Sequence, residues 1–380
     1  MRVTIVSESF PPDINGVAHS VVRVAEHLVD RGHQVLVIAP EPASGTARVA
    51  GLLPYPVVRV PSVPMPGYPT FRLGLPSRRI AEALLEHGTE VVHLASPFFL
   101  GARASAVAQR LCLPHLAVYQ TDIPAYAAAY RMRGIGEAAA WRWLRGIHNA
   151  ADRTLAPSTA SATALHAHGI ERVWLWRRGV DTVRFDPRHR SAAVRRALAP
   201  DGEVLVGYVG RLAAEKRVDL LAPISAIPGV RLLVVGGGPA EGVLRKALPG
   251  AVFLGPRQGA QLARLYASLD VFVHSGPYET FGQTLQEAAA SGLPVVAPAS
   301  GGPLDLVEDG RTGYLVPPLS SAALADAVAT LVADPLLRRG FGAAGRAMVL
   351  GRSWRAVGDQ LIEHYEAVLG GVSAPRMAVA

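Results

Sequence analysis

The length and composition of the chain limit the class of protein to which it belongs. It has 380 residues, half of them hydrophobic, with a mean hydropathy of +0.24. At about 150 residues per domain, this length predicts two globular domains with large cores. No run of eighteen apolar residues occurs, so we expect no membrane span. The first residues, "MRVTIVSESFPPD", reach charge and proline too early for a signal peptide, and we expect none.

The net charge indicates the class of binding partner that is favoured, and the cysteine content indicates the redox state of the compartment. The net charge is +8 and the isoelectric point is about 10.0. Such a balance favours anionic partners, namely phosphates, nucleic acid or an acidic membrane face. An arginine-rich surface encoded by a GC-rich genome explains the charge equally well. The single cysteine, Cys112, excludes an intramolecular disulfide and fits a reducing cytoplasm.

Short apolar strands alternate with helical periodicity in the first half of the chain. "RVTIVS" (2–7) is typical of a buried strand; a loop, a helix with apolar residues at helical spacing, and the strand "QVLVIAP" (34–40) follow it. This β–loop–α–β unit predicts a parallel sheet with right-handed crossovers. Further predicted strands are 57–61, 90–95, 115–120 and 153–158, and predicted helices are 76–88, 101–111, 136–150 and 159–168.

The same alternation restarts after residue 187. Two such runs predict an α/β protein with two doubly wound domains, at 1–182 and 183–353. A last helix, at 354–369, follows after the second sheet is complete. The predicted strands of the second half are 203–210, 231–237, 251–255, 270–276, 294–299 and 313–318.

Candidate functional residues follow the strands, because open parallel sheets bind ligands at the carboxyl ends of their strands. Gly16 begins the helix after the first strand, where a phosphate can approach free amides; an ordinary turn glycine is the simpler interpretation. In "GYVGRLAAEKR" (207–217), Arg211 and Lys216 follow a strand, with the next helix expected near Glu215. A guanidinium and an ammonium at this spacing are suited to a diphosphate.

A glycine-rich turn lies further along the second half. "VVGGGPAEG" (234–242) does not fit the dinucleotide-binding fingerprint, because Glu241 stands where the third glycine is required. We interpret it as a tight strand-to-helix turn that passes close to a nucleotide.

Two glutamates eight residues apart stand in "ETFGQTLQEAAASG" (279–292). Glu279 lies in the loop after a strand, and a helix is expected to begin near Phe281. The first amides of that helix, of Phe281 and Gly282, predict an anion site. Glu287, nearly two turns into the helix, is suited to accept two hydrogen bonds from a ribose diol, and Glu279 to accept one from another sugar hydroxyl. The alternative is two solvated glutamates, which the flanking apolar strands do not favour.

Together these segments resemble a known family. "GYVGRLAAEK", the Glu279–Glu287 spacing, "SGLPVVAPASGGPLDLVEDGRTGYLVP" and the first forty residues are similar to retaining GT-B nucleotide-sugar glycosyltransferases over essentially the whole chain. The strongest similarity is to actinobacterial GDP-mannose-dependent α-mannosyltransferases that modify glycolipids. The resemblance implies two Rossmann-like domains facing each other across a cleft, with helix 354–369 packing back on the first. It implies a hexose, mannose from GDP-mannose, transferred to a hydroxyl acceptor.

The resemblance also implies residue roles. The donor nucleotide would lie mostly on the second domain, with Glu287 on its ribose and Glu279 on the transferred sugar. Arg211 and Lys216 would bind the diphosphate, and Gly16 would reach it from the first domain.

Four further positions take implied roles in donor binding. The amides of Phe281 and Gly282 would contact phosphate or sugar, and the base would lie near Gly255 and Arg257. No metal or other cofactor would be needed. The sequence agrees, since it has no D-x-D or H-E-x-x-H motif and its twelve histidines show no ligand spacing. "LHAHG", with His166 and His168, is typical of an exposed helix end.

The chain departs from the family pattern at two positions. Gln120, in "VYQTD", stands where many relatives have histidine; it cannot act as a base, which leaves hydrogen bonding to the donor sugar, with Asp122 as the nearby ionisable group. Arg178, in "RRGVD", stands where relatives often have asparagine.

The acceptor is the least determined part of the reaction. "WRWLRGIHNAADR" (141–153) and "LPSRRI" (75–80) suggest a helix face on anionic lipid, in a cytoplasmic protein peripheral to the inner membrane face, although half-buried packing also explains the tryptophans. A small soluble acceptor, a polyol or a thiol, stays open, as does the oligomeric state.

Two other classes of protein fit this two-domain plan, a sugar-nucleotide epimerase and a non-catalytic nucleotide-sugar-binding protein. We expect no nucleic-acid partner.

Overall fold

A computed structural model describes residues 1–13, 15–43, 53–65, 68–95, 97–122 and 137–371. Both predicted strand–helix alternations are present, with boundaries within a few residues of those expected. The strands of the first half are β1 (Arg2–Val6), β2 (Gln34–Pro40), β3 (Val57–Val60), β4 (Ser62–Met65), β5 (Tyr68–Gly74), β6 (Val91–Leu94), β7 (His115–Val118), β8 (Arg153–Ala156) and β9 (Val173–Leu175). The helices of this half are α1 (Gly16–Asp30), α2 (Arg79–Glu86), α3 (Phe99–Arg110), α4 (Glu137–Ala150) and α5 (Thr159–Ala167).

The first sheet has seven parallel strands in the order β3-β2-β1-β6-β7-β8-β9. Its central strands are buried on both faces, which explains why they appear in the sequence as continuous apolar runs. The strand order reverses between β1 and β6, where Val6 is in register with Leu94. That reversal leaves a crevice at the carboxyl ends of the two strands.

The second half forms a six-stranded parallel sheet in the order β12-β11-β10-β13-β14-β15. It reverses between β10 and β13, so the segments after these two strands meet at one edge. Its strands are β10 (Val204–Val209), β11 (Val230–Val235), β12 (Val252–Gly255), β13 (Val271–Val273), β14 (Val295–Pro298) and β15 (Gly313–Val316). Its helices are α6 (Ala192–Leu198), α7 (Glu241–Ala247), α8 (Gly259–Ser268), α9 (Gln283–Ala290), α10 (Pro303–Leu306), α11 (Ser321–Ala333) and α12 (Pro335–Val349), and α13 (Trp354–Gly370) ends the described chain.

Some elements were not predicted from sequence. The antiparallel hairpin of β4 and β5 and the short strand β9 are additions to the expected plan. The helix expected near Glu215 is instead two 3-10 segments, Ala214–Lys216 and Val218–Ala226. Arg217 between them is left-handed (φ 46°), and Pro223 lacks the amide hydrogen that an α-helix needs.

Helix α13 lies against the first half of the chain. Tyr365 forms a 2.6 Å hydrogen bond with Nδ1 of the buried His93, and the Trp176 indole donates to the carbonyl of Val357 at 2.9 Å. Asp359 contacts Nε2 of His27 at 2.9 Å. The chain therefore crosses back to the first sheet after the second is complete. No helix in the described part of the chain has the length and apolarity to cross a bilayer.

Candidate active site

The reversal between β10 and β13 brings Lys216 and Glu279 together. The Lys216 Nζ lies 2.5 Å from Glu279 Oε1, and His274 Nε2 lies 3.2 Å from the same oxygen. Both side chains of the Lys216–Glu279 pair are 17% exposed, whereas His274 is buried. Ser275 donates to the Lys216 carbonyl at 2.8 Å and so holds the two loops together. A charged cluster therefore stands at the carboxyl edge of the second sheet.

Glu279 is held ionised by its neighbours. Burial raises the pKa of this carboxyl, but Lys216 and His274 more than offset that effect and keep the pKa well below its usual range. Sequence reasoning missed His274. The strand-end rule points to His274 as well, because His274 is the first residue after β13 and lies at the same sheet edge as the residues that were chosen.

The Glu279 loop is held by two glycines of the "ASGG" segment. The amide of Gly302 donates to the Glu279 carbonyl at 2.7 Å, and a Cβ at Gly302 would lie only 2.0 Å from the Phe281 carbonyl oxygen. Gly301 has φ +63°, and a Cβ there would lie 2.3 Å from the Glu279 carbonyl oxygen. The segment after β14 thus fixes the backbone that carries Glu279.

Helix α9 begins two residues later than predicted. Gly282 is its N-cap, in a left-handed conformation (φ 98°), so Phe281 and Gly282 precede the helix. The Phe281 side chain is in the core, 2% exposed. Glu287 is consequently the fifth helical residue, just over one turn from the start, and the expected position of nearly two turns was wrong.

Glu287 lies against the tyrosine of a neighbouring helix. The hydroxyl of Tyr266, on α8, donates to Glu287 Oε2 at 3.2 Å. Burial raises the pKa of Glu287 to about 7, although the bonds from Tyr266 and Gln283 lower it. Tyr266 is itself fully buried and was not anticipated from the sequence. Glu287 therefore changes charge near neutral pH, unlike Glu279.

Arg211 directly follows the loop glycine after β10. Its guanidinium lies 4.0 Å from Glu215, and its side chain is 34% exposed. The glycine-rich turn "GGG" packs on this loop, since a Cβ at Gly236 would lie 1.9 Å from the Gly210 carbonyl oxygen. The predicted tight strand-to-helix turn is thereby confirmed, between β11 and α7.

The residues expected near the base lie at the end of β12, two strands from β10. Gly255 ends that strand with φ 68°, and its carbonyl accepts from Gly236 at 3.0 Å. Arg257 is exposed, and its guanidinium donates to the Pro256 carbonyl at 3.0 Å. Its position at the carboxyl edge of the sheet agrees with a solvent-facing ligand contact.

In the first half, Gly16 opens α1 as expected, but the amides after it are occupied. The Asn15 side chain accepts from the amides of Val17 and Ala18, both at 3.0 Å. The Asn15 side chain therefore already binds two of the amides that were predicted to form a phosphate site at this helix start. The carbonyl of Gly16 accepts a hydrogen bond from Arg178 at 3.0 Å.

Gln120 is fixed through both ends of its amide. It is 8% exposed, its Nε2 donates 2.6 Å to the Ala95 carbonyl, and its Oε1 accepts from Arg178. Asp122, two residues on, is half-buried and accepts from the Tyr119 hydroxyl. The structure thus joins the two positions at which the chain departs from the family pattern, Gln120 and Arg178.

Comparisons with known proteins agree along the whole chain. The family described as Glycosyltransferase Family 4 matches residues 14–184, and Glycosyl transferases group 1 matches 203–334. A GDP-mannose-dependent alpha-mannosyltransferase of Mycobacterium tuberculosis (strain CDC 1551 / Oshkosh) is 51% identical, covering 97% of each chain. The protein belongs to this glycosyltransferase family. A relative of the same description from Corynebacterium glutamicum is 41% identical over 97% of this chain and 89% of its own.

Solved structures confirm the GT-B fold of this glycosyltransferase. Sucrose-phosphate synthase from Thermosynechococcus elongatus superposes with a TM-score of 0.80 at 23% identity, over 97% of this chain and 99% of that one. Anabaena Alr3699/HepE in complex with UDP and glucose gives 0.75 at 22% identity, over 97% and 100%. The resemblance and the fold class predicted from the sequence are both confirmed.

The two halves of the glycosyltransferase also touch beside the site. Thr280, next to Glu279, donates to the Gln120 carbonyl at 3.1 Å. Asp305 accepts from the amide and hydroxyl of Thr159 at 3.0 and 3.1 Å, and from Arg177 at 3.1 Å. The strand ends of the first half and the Glu279 loop are thereby held at hydrogen-bond distance.

The tryptophan-rich helix α4 differs from the lipid-facing expectation. Trp141 is 9% exposed and stacks on His168 with ring centroids 3.7 Å apart, so it belongs to the interior. Trp143 packs at 5.1 Å against both Phe98 and Phe99, of which Phe99 is exposed. His168 is accordingly not the exposed residue expected. Among the described residues, no group of three or more His, Cys, Asp and Glu side chains is placed to hold a metal ion.

Proposed function

We propose that this glycosyltransferase moves mannose from GDP-mannose to a hydroxyl acceptor with retention of the anomeric configuration. The observation that carries the proposal is the Lys216–Glu279–His274 cluster at the reversal of the second sheet. Relatives described as GDP-mannose-dependent alpha-mannosyltransferases, 51% and 41% identical, support the donor. The fold alone does not choose a sugar.

The proposed donor sits on the second half of the chain, with Glu287 on the ribose and Arg211 and Lys216 on the diphosphate. Lys216 has three N–H donors, so it can keep Glu279 and still bind a phosphate oxygen. Glu279, ionised and fixed by the glycines behind it, would orient the transferred sugar. Gly255 and Arg257 would face the base.

In the proposed reaction the bond between the anomeric carbon and the β-phosphate oxygen breaks. The acceptor oxygen attacks the same face of the sugar, and its proton passes to the leaving diphosphate. Positive charge grows on the ring and negative charge on the leaving group, so fixed cations at the diphosphate stabilise the transition state. Closure of the two halves, supported by the Thr280 and Asp305 contacts, would exclude water.

One experiment tests the function directly. The protein is incubated with GDP-mannose, with and without bacterial lipid extract, and GDP and mannosylated lipid are measured. Transfer predicts acceptor-dependent GDP release with α-linked product. Release without an acceptor would indicate an epimerase or hydrolase, tight binding without release would indicate a binding protein, and turnover only with UDP- or ADP-sugars would overturn the choice of donor. A soluble polyol or thiol arm tests the small-acceptor alternative.

The ribose role of Glu287 predicts a pH dependence. A carboxylate accepts from both ribose hydroxyls, whereas a protonated acid does so less well. Because the pKa of Glu287 is about 7, the dissociation constant for GDP-mannose should rise from pH 8 to pH 6, by at most about tenfold. Calorimetry without acceptor measures it, and GDP-mannose is chosen because its phosphates do not titrate in this range. Glu287→Gln should bind more weakly at pH 8 and show no such dependence.

A stability measurement gives an independent check of the same group. The folded pKa of Glu287, about 7, lies above its ordinary value of 4.5, so the folded state binds the proton more tightly. The wild type should therefore lose stability as pH rises from 4.5 to about 7, relative to Glu287→Gln. Parallel denaturation curves for the two proteins across this range would contradict the assignment.

We further propose a glycolipid acceptor reached at an anionic membrane face, consistent with the net charge of +8. The exposed arginines of α4, Arg142 and Arg145, and the exposed ring of Phe99 would form that surface. Sedimentation with anionic vesicles should occur at low salt and be reversed at high salt. Arg142→Glu/Arg145→Glu should weaken it, and equal binding to neutral vesicles would contradict the proposal.

A further inference from the structure

Arg178 is a buried cation with no ion-pair partner among the described residues. Arg178 is 8% exposed, and its guanidinium donates to two neutral oxygens, the Gly16 carbonyl at 3.0 Å and Gln120 Oε1. Among the described residues, no carboxylate oxygen lies within the 4.0 Å of an ion pair with it. Burying a charge with no opposite charge is expensive, and such groups are normally paired.

The main chain of the same residue is held by the other half of the protein. The Arg178 carbonyl accepts from Gln286 at 3.0 Å, and the Gly179 carbonyl accepts from Gln283 at 3.0 Å; both glutamines are on α9, the helix of Glu287. A Cβ at Gly179 would lie 2.5 Å from the Cα of Trp354, so the backbone at Gly179 is packed tightly against Trp354 and has no room to shift. The main chain that carries this guanidinium is therefore held at the contact between the two halves.

The surroundings of Arg178 are those of the proposed donor site. Burial lowers its pKa to about 10, which leaves it charged at neutral pH, and the Glu279 carboxylate acts in the opposite direction. Glu279 is already bound by Lys216 and His274. Two cations, Lys216 and Arg178, therefore act on the single carboxylate of Glu279, and this local excess of positive charge favours an anion there.

We propose that Arg178 is a positioning residue for the transfer step: its guanidinium fixes the Gln120 amide and the Gly16 loop, and its uncompensated charge favours the diphosphate leaving group. This inference rests on the proposed function and extends it by a third cation. It also accounts for the joint presence of Gln120 and Arg178, because the amide oxygen accepts from the guanidinium while the amide nitrogen is anchored on Ala95.

The test is Arg178→Gln in the full-length protein, with Arg188→Gln, 77% exposed at its side chain, as the surface control. Removing an unpaired buried charge should leave the melting temperature unchanged or raise it. Activity should fall at least about tenfold in kcat/KM, as for loss of one preorganised donor. GDP affinity should fall more than GMP affinity, because the terminal phosphate carries the extra charge.

Two companion variants test the positioning role. Arg178→Lys should recover part of the loss in kcat/KM, and Gln120→Ala should lower kcat more than it raises the donor KM.

The outcomes separate this inference from the proposed function. If the wild type prefers another nucleotide, the same comparison is made with UDP and UMP or ADP and AMP. A lower melting temperature with an unchanged diphosphate-to-monophosphate ratio would show a purely structural role and overturn the inference. Wild-type turnover in Arg178→Gln would overturn it as well, while leaving the mannosyltransferase proposal intact.

Discussion

Glu279→Gln is expected to lower kcat by at least about a hundredfold, with a much smaller change in the donor KM. The carboxylate stands where the transferred sugar is proposed to lie, and its negative charge is worth more when the ring gains positive charge than in the ground state. An interaction that strengthens only in the transition state appears in kcat. Its ionisation is secured by Lys216 and His274, so the wild-type rate should not fall through titration of Glu279 above pH 5.

Binding and control measurements decide whether this interpretation is right. GDP lacks the transferred mannose, so calorimetry should give Glu279→Gln an affinity for GDP at least equal to wild type. Glu203→Gln is the matched control, since Glu203 also pairs with a basic residue, Arg231, but at the amino end of the same sheet; it should keep normal kcat. Loss of GDP binding in Glu279→Gln together with normal binding in Glu287→Gln would show that the two glutamates have exchanged roles.

Lys216→Ala and Arg211→Ala should each reduce turnover at least about tenfold and weaken GDP more than GMP. Both cations follow β10, and a leaving diphosphate is the ligand that their charge and position suit. For Lys216 the loss has two parts, because Glu279 also loses its ion-pair partner and its pKa should move upward. The Arg211 guanidinium lies 4.0 Å from Glu215, and the loss expected in Arg211→Ala is that of its proposed contact with the diphosphate.

A double-mutant comparison separates the two parts. If Lys216 acts partly through Glu279, the losses in Lys216→Ala and Glu279→Gln should not add in the double variant. Arg217→Ala is the control, because Arg217 is adjacent in sequence but pairs with Asp219 on the surface. Near-normal rates in both Lys216→Ala and Arg211→Ala would refute the diphosphate assignment.

The sequence by itself determined the architecture and most of the candidate residues. Each strand is a short apolar run and each helix keeps its own periodicity, so the alternation is a local property that can be recognised along the chain. The rule that ligands meet strand ends then selects Arg211, Lys216 and Glu279 without knowledge of strand order. Glu287 was selected as a candidate by its position in the same helix segment, although the helix start was displaced by the left-handed Gly282.

Which of these residues touch was decided only by the tertiary structure. All the strands have similar apolar runs, so periodicity does not specify that β10 lies beside β13, and Lys216 and Glu279 meet across 63 residues because of that order. Tyr266, which sets the environment of Glu287, is an ordinary apolar position in the helix pattern. The Arg178–Gln120 contact spans 58 residues and depends on the order of the strands β7, β8 and β9 in the first sheet. Burial and charge balance arise from such long-range contacts, and no local pattern encodes them.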